Sequence, residues 1–449
     1  MTHSEIASEQ DPELQGLRRR AEMMLEEARR LGADQAEVAI RHDDGFRVSV
    51  RMGEVDTLQF NRDRGFSITV YCQHRKGMAS STDDSAHSLR ETVAAAMAIA
   101  RNTSADEHNG IAPPELLARN VPELDLCHPW ELSPEEAIGL ARECENAGRQ
   151  DARIVNSDGA GLSTSTSLVV YGNSNGFLGA YRTGMHSRSC VLVAEQDGRM
   201  QRDYWYDARR NPRELESAEA VGTRAARRTL ARLGAQRPET GTVPVLFEPR
   251  VATGLLGHLA GAFSGGALYR KASFLHERLG ERILPEWASL GERPLLPGMN
   301  GSAPFDSDGL PTRDQDFVRE GVLQQYALDL YSARRLGMTP TGNGGGVHNL
   351  ALTTGDEDQA GLLARMERGI LVTEVMGQGV NLVTGDYSRG AAGFLVENGE
   401  IAAPVEEFTI AGNLLDMFAG LQGSGTDVDT RGRIHSGSLL LAEMRVAGT

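Results

Sequence analysis

The chain has 449 residues, 40% of them hydrophobic and only 5% aromatic, with 51 glycines. At ~100–200 residues per domain that length calls for two domains, and the apolar content is ample for packed cores. With 62 acidic against 46 basic residues and a formal charge of -16, the surface repels phosphates, which argues against nucleic-acid binding through a general basic face.

The opening "MTHSEIASEQDPE" is polar and acidic, unlike a signal peptide. No run approaches the ~18 apolar residues of a membrane helix. A soluble cytoplasmic protein without membrane contact is therefore expected. The first helix is predicted over residues 12–31, where Leu14, Leu17, Ala21, Met24, Leu25, Ala28 and Leu31 recur at steps of three and four, with Gly32 as its stop. Arg18, Arg19 and Arg20 share that helix with Glu22, Glu26 and Glu27 and read as a solvated face. The period then changes to two. Ala36, Val38 and Ile40 alternate with polar residues, "HDDGF" reads as a turn, and Phe46, Val48 and Val50 alternate again. "VDTLQF", "GFSITVYC" and "KGMASST" complete an antiparallel meander half-buried on one face.

A second helix is predicted over 85–102. A third starts at Ser133, where "SPEE" offers an N-cap serine, a proline at the first position and a glutamate at the third. Strands fill 153–206, with "NSNG" and "EQDG" as hairpin turns, and a helix covers 216–233. Cys72, Cys127, Cys144 and Cys190 contain no C-x-x-C pair and read as buried thiols. This order of elements gives an α+β fold rather than a doubly wound sheet. The linker "LGAQRPETGTVP" places a boundary near residue 238. It divides the chain into an N-terminal α+β domain, 1–238, with an antiparallel or mixed sheet, and a β-rich domain, 239–449, with few helices. In the second domain a strand, "VPVLFEP", precedes a helix over 253–271, "TGLLGHLAGAFSGGALYRK", whose otherwise apolar surface carries His258.

No G-x-S-x-G elbow is present, and "GNGGGVHN" at 342–349 lacks G-K-[ST], so it reads as a tight turn rather than a phosphate loop. The histidines of the second half are His258, His276, His348 and His435, and none lies in H-E-x-x-H. A catalytic zinc takes three protein ligands, an open position for water and a nearby base. His258 is followed by Leu259, which can neither ligate nor accept a proton. By itself His258 reads as a partly buried packing histidine.

Longer stretches sharpen this reading. "GLLGHLAGAFSGGALYRKASFL", "RGFSITVYCQHRKGMASSTD" (64–83), "PFDSDGLPT" (304–312), "YSARRLG" (331–337), "MGQGVNLVTGDYSRGAAGFLVENGEI" (376–401) and "FTIAGNLLDMF" (408–418) resemble the TldD/PmbA family, also called the modulator of DNA gyrase family, in its PmbA (TldE) branch. The likeness covers essentially the whole chain. The resemblance implies a zinc protease in the TldD branch, with His-Glu-x-x-x-His in this helix and a third ligand from a late cysteine. Laid onto this chain, the first histidine falls on His258, the glutamate on Leu259 and the second histidine on Phe263. The cysteine falls near His435 and Ser436, where there is none.

The resemblance thus implies a non-catalytic subunit that pairs with a TldD-type protease chain. The pair would form a hollow heterodimer whose zinc sits in the partner, with no cofactor in this chain and a homodimer possible when it is alone. Unfolded or small peptides would be the substrates, and family roles include maturing a gyrase-targeting peptide antibiotic and degrading an antitoxin. Segment 376–401, with Gly377, Gly379, Tyr387 and Arg389, is expected either to add a peptide at a strand edge or to form a core strand with a tight turn. Two alternatives remain: an independent hydrolase with an atypical site from His258, His348 and His435, and a gyrase-modulating binding protein.

Overall fold

The computed structural model describes residues 11–449; residues 1–10, the greater part of the segment read as too polar for a signal peptide, lie outside the described residues. Asp11 caps the first helix, α1 (Pro12–Arg30), accepting from the amides of Glu13 and Leu14 at 3.0 and 3.3 Å. Its buried face is Leu14, Leu17, Ala21, Met24 and Ala28, the face that the periodicity marks. Three strands follow, β1 (Gln35–Arg51), β2 (Glu54–Cys72) and β3 (Arg75–Ser81), then α2 (Ala86–Asn102) and α3 (Pro134–Gly148). The capping box at Ser133 forms in both directions, with Ser133 Oγ accepting from Glu136 N and Glu136 accepting from Ser133 N. Then come β4 (Ile154–Asn173), β5 (Leu178–Gln196), β6 (Arg199–Arg209) and α4 (Ala218–Ala231).

The six strands form one antiparallel sheet in the order β3-β2-β1-β4-β5-β6. α1 and α2 cover one half of a face through Val38, Ile40, Phe66 and Ile68. α3 and α4 cover the other half of that face through Val48, Val50, Leu162 and Leu192. The expected "HDDGF" turn does not form. Residues 42–46 run straight through β1 and are paired with β2 on one side and β4 on the other. The reason is parity: Ile40, His42, Phe46 and Val48 point to one face without a phase change, and His42 fills its place there edge-on to Phe66, 5.4 Å between centroids. Gly45 admits the pairing, since a Cβ there would lie 2.4 Å from the carbonyl oxygen of Thr164.

The second half opens with β7 (Gly241–Phe247), α5 (Pro249–Ala262) and α6 (Gly265–Tyr269). Short strands β8 (Leu290–Glu292), β9 (Gln315–Arg319), β10 (Val322–Leu323) and β11 (Leu350–Leu352) follow, with α7 (Leu330–Leu336) among them. The chain ends through α8 (Gln359–Met366), β12 (Gly369–Met376), β13 (Asp386–Glu397), β14 (Glu400–Asn413), α9 (Leu414–Ala419), β15 (Leu421–Ser424), β16 (Ile434–His435) and β17 (Leu439–Ala447). The larger sheet has the order β14-β13-β12-β7-β17-β15, and a further β14–β17 pairing closes five of its strands into a ring. α5 packs on the face of Phe247 and Val372, α8 on the face of Leu246 and Leu371. The fold is α+β with several sheets, and the helices of the second half other than α5 are short.

The helix expected over 253–271 is two. α5 begins earlier, with Pro249 at its first position, and stops at Ala262. Ser264 is extended, and Ala327 pairs across the break, its amide donating to Phe263 O at 3.0 Å while its carbonyl accepts from Gly265 N at 2.8 Å.

α3 and α4 cross where Gly222 meets the carbonyl of Cys144. A Cβ on Gly222 would sit 2.0 Å from that oxygen, so the helices would have to separate. Gly222→Ala should therefore destabilise the chain by about 1–3 kcal/mol in chemical denaturation; an unchanged midpoint would show that this crossing is not tight.

Candidate functional site

α5 carries His258 halfway out of the core. Its imidazole lies edge-on to Tyr387, 6.0 Å between ring centroids. Burial, and then the charge of Arg389, hold its pKa below the ordinary 6.5. Leu259 and Phe263 are both 0% exposed. Phe263 stacks on Phe317 at 4.6 Å and 20°, and both side chains belong to the main core with Phe247 and Val372. The phenyl ring thus packs as a core residue at the end of the helix.

His435 and His348 lie on or next to a pair of short strands, β16 and β11. His435, on β16, is buried; its Nε2 is 3.1 Å from Gly432 O, and burial lowers its pKa. Ser436 beside it, also buried, donates to Gly437 O at 2.9 Å. α5 passes close to this strand, because a Cβ on Gly257 would lie 3.7 Å from Ile434 Cδ1. His348 lies two residues before β11, which pairs in parallel with β16, and its Nδ1 is 3.7 Å from Glu292 Oε2. None of the three shares a hydrogen-bond or ring partner with another. A zinc ion needs about three convergent protein donors, and among the described residues no group of three or more His, Cys, Asp or Glu side chains could hold one. A lone imidazole flanked by a leucine and a phenylalanine in the core does not fit the metal, and no step is derived through it.

Segment 376–401 lies against this helix. Tyr387 is 3% exposed, and burial pushes its phenol up to about 12. Arg389 is half-buried, donating from Nε to Met376 O at 3.0 Å. β13 is paired on both sides, with β12 and β14, and the amide of Ser388 donates to Gly379 O at 2.7 Å. β13 is therefore flanked by backbone on both sides, and the Tyr387 side chain is buried. The exposed backbone is at Gly377 and Gly379. Gly379 has no room for a side chain, since a Cβ would meet Ser388 O at 1.9 Å.

Two loops whose chemistry the sequence left unassigned lock together elsewhere. Asp306 accepts from the amides of Gly344, Asp308 and Leu310 at 2.8–2.9 Å, and the amide of Ser307 donates to Gly344 O at 3.0 Å. Burial raises the pKa of Asp306, and burial followed by the charge of Asp306 raises Asp308 to about 7. Beside them lies a cavity of about 670 Å³. The signal for this pairing was present in "PFDSDGLPT" and "GNGGGVHN": short acids that bind backbone amides, and glycines that let backbone approach.

Three family profiles match the chain in succession: the PmbA/TldA metallopeptidase domain 1 over residues 36–100, the central domain over 127–233 and the C-terminal domain over 240–448. The Escherichia coli O157:H7 protein named metalloprotease PmbA is 49% identical over 418 residues, 93% of each chain. The chain belongs to the PmbA/TldD family. A PmbA homologue of Haemophilus influenzae is 43% identical over 97% of this chain and 96% of its own. A TldD homologue of that organism is 23% identical over 80% and 78%, which places the chain in the PmbA branch. Among solved structures, a Bacteroides thetaiotaomicron protein named as a modulator of DNA gyrase superposes with a TM-score of 0.92 at 28% identity, covering 98% of this chain and 99% of its own.

Within this PmbA-type chain, Phe263→Ala should cost about 3–5 kcal/mol in chemical denaturation, the range for a buried aromatic lost to a cavity. A variant as stable as the parent would show that Phe263 carries no packing.

A pH dependence follows from His186, His258 and His435, whose folded pKa values lie below 6.5, mainly through burial. Between those values and 6.5 the unfolded chain binds more protons than the folded one. Their contribution is complete above pH 6.5 and is lost as pH falls through the folded values. Asp308, raised to about 7, and Asp306 work in the opposite direction over the same range, so the histidine contribution is read as a difference. From pH 7 to 5.5 the urea midpoint should change more favourably in His258→Gln than in the parent, and equal changes would remove His258 from this account.

Proposed function

We propose that this PmbA-type chain is the non-catalytic subunit of a cytoplasmic zinc metalloprotease whose metal, base and water lie in a TldD-type partner. The observation that supports it is the filling of two positions by carbon. Leu259 and Phe263, where the family resemblance puts the base and the second histidine, are fully buried in the core. Peptide hydrolysis at zinc needs a Lewis acid, a water of lowered pKa and a base for its proton. This helix offers none of the three.

The family contains TldD-type chains, consistent with such a partner. Residues 1–238 and 239–449 act in this reading as wall and partner-contact domains. Unfolded or small peptides are the substrates, with Gly377, Gly379 and Arg389 as the groups that face them. The isolated chain associates with itself only when the partner is missing. No observation favours an independent site from His258, His348 and His435, since among the described residues no group of three or more His, Cys, Asp or Glu side chains could hold a metal. A role at gyrase rests on a relative's name.

The test is reconstitution. The purified chain should carry well below one zinc per molecule by elemental analysis, because one imidazole cannot hold the ion tightly. It should not cleave an unfolded peptide at any zinc concentration, and adding the TldD-type chain should start cleavage. Changing the partner's motif glutamate should stop it, and His258→Ala in this chain should not. If His258→Ala abolished turnover in a complex that still assembled and kept its zinc, this chain would be catalytic.

A further inference from the structure

The cavity of about 670 Å³ takes no part in the reading above, and no residue of α5 lines it. It lies between the helix-free face of the first sheet, at Arg41, Ser167 and Tyr181, and the loops carrying Ser302, Asp306, Gly345 and His348. Its size is that of a small-molecule site, ~300–1,000 Å³.

Cationic and donor groups meet there, and two of them, Arg210 and Arg433, have no carboxylate paired with them among the described residues. Arg210 is 7% exposed. Its guanidinium donates to the carbonyls of Met299 and Asn300 at 2.9 Å, to those of Leu126 and Gly184, and to the Thr183 hydroxyl. Among the described residues no carboxylate pairs with it. Arg433 stands exposed at the rim, its Nη1 donating to Gly345 O at 3.2 Å, and it too lacks a carboxylate among the described residues. His348 is 8% exposed, and its Nδ1 has no hydrogen-bond partner. Glu292 Oε2, at 3.7 Å, already accepts from the amide of His348 at 2.7 Å. Arg41 is different, since Asp43 neutralises it at 2.9 Å. The one carboxylate among the described lining residues, Asp306, is turned toward three backbone amides.

A positive recess on a chain of formal charge -16 is an exception that selects an anion. Buried charge is ordinarily met by an opposite charge, and a planar guanidinium suits a carboxylate. A phosphate cradle is disfavoured because three of the loop's amides are spent: Gly344 N on Asp306, Gly346 N on Asn343 O and His348 N on Glu292. We infer that this cavity binds a carboxylate-bearing small ligand. Arg433 and His348 contact the carboxylate, and Arg210 supplies a fixed positive field. The carboxylate belongs either to the C-terminus of a short peptide or to a free organic acid. The inference does not depend on the metalloprotease reading.

Isothermal titration of the full chain with tetraalanine, tetraalanine amide, succinate and inorganic phosphate tests it. Tetraalanine binding at least tenfold tighter than its amide supports the site with a peptide terminus as its ligand. Succinate binding without either peptide supports it with a free acid. In both cases Arg433→Ala, an exposed position that leaves the fold intact, should weaken binding by about tenfold, the scale of one charge-assisted contact. His348→Ala, with its melting curve checked, should do the same. Failure of both acids to bind, equal affinity for acid and amide, indifference to Arg433→Ala, or phosphate binding tighter than either acid would each overturn the proposal.

Discussion

The helix that carries His258 is held in place by one buried carboxylate. Glu248 immediately precedes α5 and is 7% exposed. Its two oxygens accept from Arg228 at 3.0 Å each, and Arg250 donates to one of them at 3.1 Å. Arg228 lies on α4, and its Nε is 3.3 Å from Asp203 on β6. The start of α5 is thereby fastened to the sheet of the first half, while the amide of Glu248 donates to Val372 O at 3.0 Å in the second. A negative side chain also suits a helix N-terminus. Removing one member of such a buried cluster costs about 3–5 kcal/mol, because it leaves one buried charge uncompensated. The orientation of the candidate site thus depends on residues that never touch it.

A second clamp fixes the strand that lies beside α5. Arg431 pairs with Asp429 at 2.6 Å and lies over the rings of Trp205 and Tyr206 at 4.4 and 4.3 Å. Arg224 covers Trp205 at 3.8 Å. Such cation–π contacts are stronger when desolvated. They hold the segment before β16, and so His435, against β6 of the other half. Arg210 adds a third tie, reaching from its position after β6 to the carbonyls of Met299 and Asn300. Arginine does most of this joining because its five donors can satisfy several carbonyls at once.

Local chemistry made much of the fold legible. The apolar face of α1, the capping box at Ser133 and the turns before β5 and β6 are decided by neighbours a few residues away, and each forms where the sequence puts it. The failures have non-local causes. "HDDGF" has turn-forming residues, yet two flanking strands pair with it and outweigh that preference. The break after Ala262 carries no proline, and it is set by Ala327, far along the chain. The cavity draws its walls from strands of one half and loops of the other, and no single stretch carries its pattern. Of the candidate site, the residue types at 258, 259 and 263 were legible. What surrounds them was not, because Tyr387, Phe317 and Arg389 arrive through tertiary packing.

That break bears on why a helix with one histidine keeps the shape it has. On a continuous helix, residues five apart point roughly 140° away from each other, so two ligands at that spacing could not meet one ion. They can meet only if the helix ends between them. Here α5 ends at Ala262 and Phe263 is its cap residue, with φ -90° and ψ 8°. The backbone therefore has the termination that a ligand pair at 258 and 263 would require, while the side chain at 263 is a phenyl ring stacked on Phe317. Nothing about a metal is needed to hold that termination. Two hydrogen bonds to Ala327 and the Ser264 hydroxyl, which donates to Gly261 O at 2.8 Å, suffice. Backbone geometry and ligand chemistry are separable in this helix. The termination is set by Ala327 and Ser264, and the side chain at 263 only decides what fills the space beyond it.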